Sequence, residues 1–468
     1  MKKIALIVNL ALCMLIVSCS GHKKHNDKEE LPIEKGKIIN IVKCKKNLSH
    51  SYALYLPSAF SEHNKYPLII CFDPHGSGAK PLELLKNEAE KLGYILVGSN
   101  VSKNGMTWDN TSAHYNILLT DVTERFGIDQ TRIYTCGFSG GSRVASSVAI
   151  LKGGVAGVIG CSGGFPQVKQ AIKTKFDYIG FAGNDDMNYA EMLNLDKALE
   201  KNSFRHFLIV FDGAHGWPPE DVLGEAFVWT ELNAMRDKKK AEDKNYIEQK
   251  LSSFTSQLEE LQKKNDQYEE YLLVKKLVAY FNGLSDIKKY EDRLQQLETT
   301  TAVKNRISRD ELNMKKELAM QQKYGQSLST ENALWWKNEV SRLNYFIQVS
   351  PVEDEKHIVK RVLEYLSLAS FSASSSLYSQ NRFAEAEHYI DLYSIIDPDN
   401  PEPEFMYAQI YARKKDAEKT MEHLKRSADL GFSEKSRIGN DSIFQKFNSD
   451  KRFAEIMDII TNNQNKKP

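Results

Sequence analysis

The hydrophobic pattern of the chain changes near residue 237. Before that point, short apolar runs at residues 52–56, 68–72, 94–97, 132–136, 155–161, 178–182 and 207–211 are almost unbroken by polar positions. Between most of them lie longer stretches, 81–92, 112–126, 189–201 and 219–236, in which apolar residues recur at helical spacing. A strand covered on both faces reads as continuously apolar. Such strands alternating with amphipathic helices predict a mostly parallel sheet with helices on both faces, an α/β fold.

After Lys238-Lys239-Lys240 the strand signal stops. Ile247, Leu251, Phe254, Leu258 and Leu261 follow at spacings of four and three, the stripe of a helix that packs on another helix. Helical text continues to about residue 373. Leu377, Ala386, Ile390 and Tyr393 are then matched 34 residues later by Tyr411, Thr420, Leu424 and Ser427, with the turn Asp397-Pro398-Asp399-Asn400-Pro401 between. A helix–turn–helix period of 34 over residues 371–432 resembles the tetratricopeptide repeat, against generic helical hairpins as the alternative. Two such units cannot bury their faces alone, so the helices from 243 to 373 are expected to complete the stack.

The first residues follow neither pattern. Met1-Lys2-Lys3 precedes an apolar run to Val17, too short to span a bilayer comfortably, and the run closes on Leu15-Ile16-Val17-Ser18-Cys19. This resembles the lipobox of bacterial lipoproteins. It implies a signal peptide at 1–19, lipidation of Cys19, and a cell-envelope location, by resemblance the outer membrane. Residues 20–37 are polar and charged and read as a tether. With 468 residues the chain is too long for one core. The expected parts are therefore an α/β domain at 38–237 and a separate helical domain at 243–468.

Composition narrows the partners. Sixty-three basic against 62 acidic residues leave a net charge of +1, which points away from nucleic acid and leaves the N-terminal lipid as the membrane contact. Cys71, Cys136 and Cys161 lie in strand-like runs, where cysteine serves as a small buried hydrophobe, and their spacing with Cys44 is not that of a metal site. Neither a metal nor a cofactor is expected. An envelope location would permit one disulfide.

The chemistry concentrates around Ser139. It stands in Gly137-Phe138-Ser139-Gly140-Gly141, after an apolar run and before the small residues Ser142, Ala145, Ser146 and Ser147 that open a helix. Glycines two before and two after a serine at a strand-to-helix junction allow a sharp turn that lifts the hydroxyl clear of the sheet. A neutral serine is a poor nucleophile, so a base and an acid are required. His215 follows the last strand, in Asp212-Gly213-Ala214-His215-Gly216-Trp217, and is the candidate base. His114 and His206 lie on a helix and a strand, and His357, His388 and His423 belong to the helical half.

This order of motifs over residues 50–236 resembles the α/β-hydrolase superfamily, closest to the lidless branch of polyhydroxybutyrate-depolymerase-like and feruloyl-esterase-like enzymes. The resemblance implies an acid after the strand at 178–182, in Gly183-Asn184-Asp185-Asp186, with Asp186 favoured over Asp185 by its distance from the glycine. It also implies an oxyanion hole from the Gly140 N–H and one donor in Asp73-Pro74-His75-Gly76-Ser77-Gly78, Ser77 or alternatively Gly76. About a dozen residues, 165–176, separate two strands where many relatives insert a cap, so an open mouth is expected unless the helical half covers it. Such a mouth suits large, polymeric or sugar-linked esters. Trp108 and Trp217 could line it as an aromatic shelf or simply pack the loops. The implied activity is serine-dependent ester hydrolysis. The alternatives are an inactive scaffold that binds proteins through the helical repeats, and a serine peptidase of the same fold. On the two-domain reading, a chain ending near residue 240 keeps activity on small esters.

Overall fold

The computed structural model describes residues 33–166, 172 and 174–466. The expected signal peptide, Cys19 and most of the tether lie outside the described residues. Eight strands form one sheet: β1 (Ile38–Cys44), β2 (Asn47–Tyr55), β3 (Tyr66–Phe72), β4 (Ile95–Ser99), β5 (Ile128–Phe138), β6 (Gly157–Cys161), β7 (Asp177–Gly183) and β8 (His206–Phe211). Their order is β1-β2-β4-β3-β5-β6-β7-β8. The β1–β2 and β2–β4 pairs are antiparallel, and all the others are parallel.

Helices α1 (Ala79–Leu92), α2 (Trp108–Arg125), α3 (Gly140–Ser147), α4 (Tyr189–Lys201), α5 (Glu220–Leu223) and α6 (Glu225–Arg236) follow or connect the strands. This is the α/β-hydrolase fold. The inner apolar runs became strands covered from both sides, while β8 forms the other edge of the sheet, half-buried and with Val210 exposed. β1 carried no clear run: it is an edge strand with alternating exposure, where only Val42 and Cys44 are buried. Cys71, Cys136 and Cys161 sit on the consecutive strands β3, β5 and β6, with Cys71 and Cys136 directly in register. With Cys44 they are free, buried thiols.

An all-helical region follows: α7 (Lys244–Lys264), α8 (Gln267–Phe281), α9 (Lys288–Thr299), α10 (Thr301–Thr330), α11 (Ala333–Val349), α12 (Glu353–Ser379), α13 (Phe383–Ile396), α14 (Glu402–Arg413), α15 (Ala417–Asp429), α16 (Lys435–Asn440), α17 (Ser442–Gln445) and α18 (Lys451–Lys466). Several helices start where a side chain can accept a first-turn N–H: Asp243, Asp266, Thr300, Asn332 and Asp416 all do so. α13, α15 and α18 begin at Phe383, Ala417 and Lys451, each 34 residues after the last. Asn381 and Lys415, also 34 apart, both take a left-handed backbone in the turn before the second helix of a pair.

Secondary-structure class changes near residue 240, but packing does not stop there. Residues from Lys35 onward gather into one compact unit. A single apolar cluster runs from Ile69 and Leu96 in the sheet through Trp229 on α6 to Phe254, Val274, Leu277, Tyr280, Phe281 and Leu297 in the helical region. The Tyr280 ring lies 5.1 Å from Trp229 and 5.4 Å from Phe207 of β8, so α8 covers that edge of the sheet. The basic stretch is held down as well. Lys239 pairs with Asp237 at 3.0 Å, and Lys240 pairs with the fully buried Glu231.

A large apolar side chain contributes about 1.5–3 kcal/mol on full burial, against a total domain stability of about 5–15 kcal/mol. Losing the burial of Phe254, Val274, Leu277, Tyr280 and Phe281 together would therefore be comparable to the whole stability of a domain. A chain ending at residue 240 should accumulate as insoluble or molten protein, measured by soluble yield and loss of a cooperative thermal transition. A soluble, cooperatively folding and active truncated chain would show instead that the two halves are separable.

Candidate active site

Ser139 occupies the one-residue junction between β5 and α3. Its backbone sits at φ 53° and ψ −118°, a conformation that a residue with a side chain adopts only under strain. The flanking glycines permit the turn by yielding space. A Cβ on Gly137 would lie 2.2 Å from the Gly141 carbonyl oxygen, and one on Gly141 would lie 2.0 Å from that of Phe72. The bend therefore closes only where both positions lack a side chain.

Three of the sequence-derived residues meet here. His215 Nε2 is 3.0 Å from Ser139 Oγ. On its other side, His215 Nδ1 is 2.9 Å from Oδ1 of Asp186. Asp186 is fully buried, and the same oxygen accepts the Asn188 N–H at 2.8 Å. The imidazole packs against the Phe138 ring at 4.8 Å, tilted by 43°, which limits its rotation. With Nδ1–H donated to the carboxylate, Nε2 presents its lone pair to the serine hydroxyl, the tautomer a general base needs.

Asp185, the alternative acid, points elsewhere. Its carboxylate pairs with His357 Nδ1 and, at 2.8 Å, with Lys360 Nζ, both on α12.

The oxyanion candidates lie on two loops. Gly140 opens α3, so its N–H has no intrahelical acceptor. The Gly76 N–H is committed to the Asp73 carbonyl at 3.1 Å. The Ser77 N–H has only a long, 3.5 Å contact with Asp73 Oδ1 and is the looser of the two donors. Asn104, which the sequence did not single out, lies over the first donor: a Cβ on Gly140 would meet its side-chain oxygen at 1.8 Å.

Asp73 organises the second loop. It is buried, accepts the His75 N–H at 2.9 Å, and takes the Trp217 Nε1–H at 3.1 Å on its other oxygen. Burial opposes its charge, but the bonds from His75 and Trp217 prevail and hold its carboxyl below the usual range. Asp73 in turn raises the His75 imidazole through their hydrogen bond. Glu434 and Arg437 act on that ring through space, in opposite senses, so the helical region reaches the neighbourhood of this loop. Trp217 is thus at the site, with its ring 5.7 Å from Phe138. Trp108 begins α2 and makes no ring contact with Trp217, so the two do not form a shelf by stacking.

The residues that sequence reasoning missed are on α12. His357, Lys360, Arg361 and Glu364 recur at three, four and seven residues along one face; all four meet the loop after β7, and Glu364 also meets His215. Arg361 donates to the Asn184 carbonyl, pairs with Glu317 of α10 at 2.6 Å, and lies 4.4 Å from the Tyr189 ring centre. Glu364 accepts the Met187 N–H at 3.2 Å and the His215 N–H at 3.5 Å. Four polar residues at helical spacing, on a helix remote in sequence, carried no signal that they face the loop after β7. Among the described residues no cluster of His, Cys, Asp and Glu could hold a metal ion.

No protein-family model matches the chain, and no curated protein matches it. Solved structures similar to it include S-formylglutathione hydrolase (FrmB) from Staphylococcus aureus, at 13% identity over 43% of this chain and 99% of that one, with a TM-score of 0.35. A ferulic acid esterase is 16% identical over 41% of this chain and 94% of its own, with a TM-score of 0.33. The hyperthermophilic esterase of the archaeon Pyrobaculum calidifontis is 10% identical over 43% and 87%, with a TM-score of 0.36.

Proposed function

We propose that this chain is a serine hydrolase that cleaves carboxylic esters through an acyl-enzyme. The observation that carries the reading is the continuous relay from strained Ser139 through His215 to buried Asp186, with links of 3.0 and 2.9 Å. Ser139 Oγ attacks the ester carbonyl while its proton passes to His215 Nε2. Asp186 holds the ring in register and stabilises the imidazolium. The tetrahedral oxyanion is met by the N–H groups of Gly140 and Ser77. Its collapse expels the alcohol, which takes the proton from His215. Water then attacks the acyl-enzyme by the same route and releases the acid.

A scaffold has no use for a serine held at positive φ with a base on its hydroxyl, which disfavours the inactive alternative. The test is turnover of an aryl acetate beside an aminoacyl anilide, together with labelling by a fluorophosphonate. Ester turnover with labelling supports the reading. Faster anilide turnover would make the protein a peptidase, and no labelling would make it a scaffold. Large, polymeric or sugar-linked esters are the substrate class that a solvent-reached serine suits.

Two further parts belong to this reading. The 34-residue recurrence of helix starts supports tetratricopeptide-like packing and a protein partner for the helical region. The lipobox supports anchoring in the cell envelope through Cys19. Cys19→Ser should abolish incorporation of a palmitate analogue and release the protein from membranes. Unchanged labelling and retention would remove the anchor from the proposal.

A further inference from the structure

The helical region contributes one carboxylate that touches both loops of the relay. Asp186 and His215 sit on separate connections, after β7 and after β8, and their 2.9 Å bond depends on the spacing between those connections. Glu364 bridges them. Its Oε2 takes the N–H of Met187, the residue after the acid, and its Oε1 takes the N–H of His215 itself. From the geometry we infer that Glu364 is a positioning residue, which fixes the separation of Asp186 and His215 by holding the backbone beside each. This inference rests on the hydrolase reading above.

The neighbours of Glu364 explain why a carboxylate does this work. A single carboxylate has two acceptor oxygens and can serve two backbone donors at once; an amide has one. From the loops, Asp186 repels its charge and His215 attracts it. On its own helix, His357 and Lys360 are occupied by Asp185, and Arg361 by Glu317 of α10 and by Asn184. One turn on, Ser367 donates to Asp397 at the end of α13. The lysine and arginine nearest Glu364 on α12 are thus directed elsewhere. Burial comes first among the causes that push its carboxyl up to about 7.

A carboxyl raised in this way adds stability below its unfolded range near 4.5, and that stability is lost as pH rises through 7. The ionised form thus costs stability under the conditions in which it makes its strongest bonds to the two N–H groups. A side chain with only a structural task would be better served there by a neutral group.

The experiment compares the full-length wild type with Glu364→Gln and Glu364→Ala on an aryl acetate, with Ser139→Ala as the inactive control. Misplacing a reacting group by about 1 Å can cost about 100-fold. Glu364→Ala should lower kcat by about 10- to 100-fold with KM changed less than about twofold, and Glu364→Gln should fall between it and the wild type. In the wild type the acid limb of kcat should include the titration of Glu364 and so be steeper than in Glu364→Gln. The melting temperature should also fall more between pH 6 and 8 in the wild type than in Glu364→Gln, a readout independent of turnover.

Wild-type kcat in both variants, or identical pH profiles and melting slopes, would overturn the inference while leaving the hydrolase intact. An inactive, unlabelled wild type would instead overturn the hydrolase reading, while the melting comparison would still report whether Glu364 titrates in the fold.

Discussion

Ser139→Ala should fold as the wild type does and lose nearly all ester turnover, about 10⁴- to 10⁶-fold in kcat. The expectation follows from geometry as well as from motif. The hydroxyl is the only group of its residue that meets His215, and removing it leaves the base with nothing to deprotonate but water. What survives would come from substrate binding and the two oxyanion donors. Stability should hold or rise, because alanine tolerates the strained backbone no worse than serine does and gives up no structural hydrogen bond beyond that to His215. Steady-state kinetics beside a melting curve checks both parts. Wild-type turnover in the variant would remove Ser139, and with it the acyl-enzyme, from the reaction.

The second large effect concerns the two adjacent aspartates. Asp186→Asn should cost about 10²- to 10⁴-fold in kcat, since an amide cannot hold the same imidazole tautomer or stabilise the imidazolium. Asp185→Asn should cost about tenfold or less. Its carboxylate never reaches His215 but ties the acid loop to His357 and Lys360, so the loss comes through a looser loop. Parallel kinetics on the two variants separates the roles. A larger defect in Asp185→Asn would reassign the acid.

How far the sequence could be read depended on how local each signal was. The central strands β3 to β7 announced themselves because each is covered on both faces and therefore unbroken in its apolar character; β2 and β8 did so through their shorter apolar runs. β1 did not, since an exposed edge strand looks like any half-polar segment. The segments around Ser139, Asp186 and His215, which the structure brings together, could be picked out because each is a short motif set immediately after a strand. Nothing local marks Glu364, which meets Met187 from 177 residues away along the chain. His357 likewise reads as one more histidine of the helical half, yet it faces Asp185. The change of rhythm near residue 237 predicted the change of architecture correctly. It could not disclose that the stripe Ile247, Phe254 and Leu258 belongs to the same apolar cluster as the sheet, because a stripe specifies that a face is covered and not by what.

The row of thiols beneath the elbow has a practical consequence. Cys71, Cys136 and Cys161 lie fully buried on three neighbouring central strands, and burial keeps the Cys71 and Cys161 thiols protonated, the unreactive form. An alkylating reagent can reach them only when those strands part. The protein therefore carries an intrinsic clock for opening of its central sheet, readable by mass spectrometry without any introduced probe.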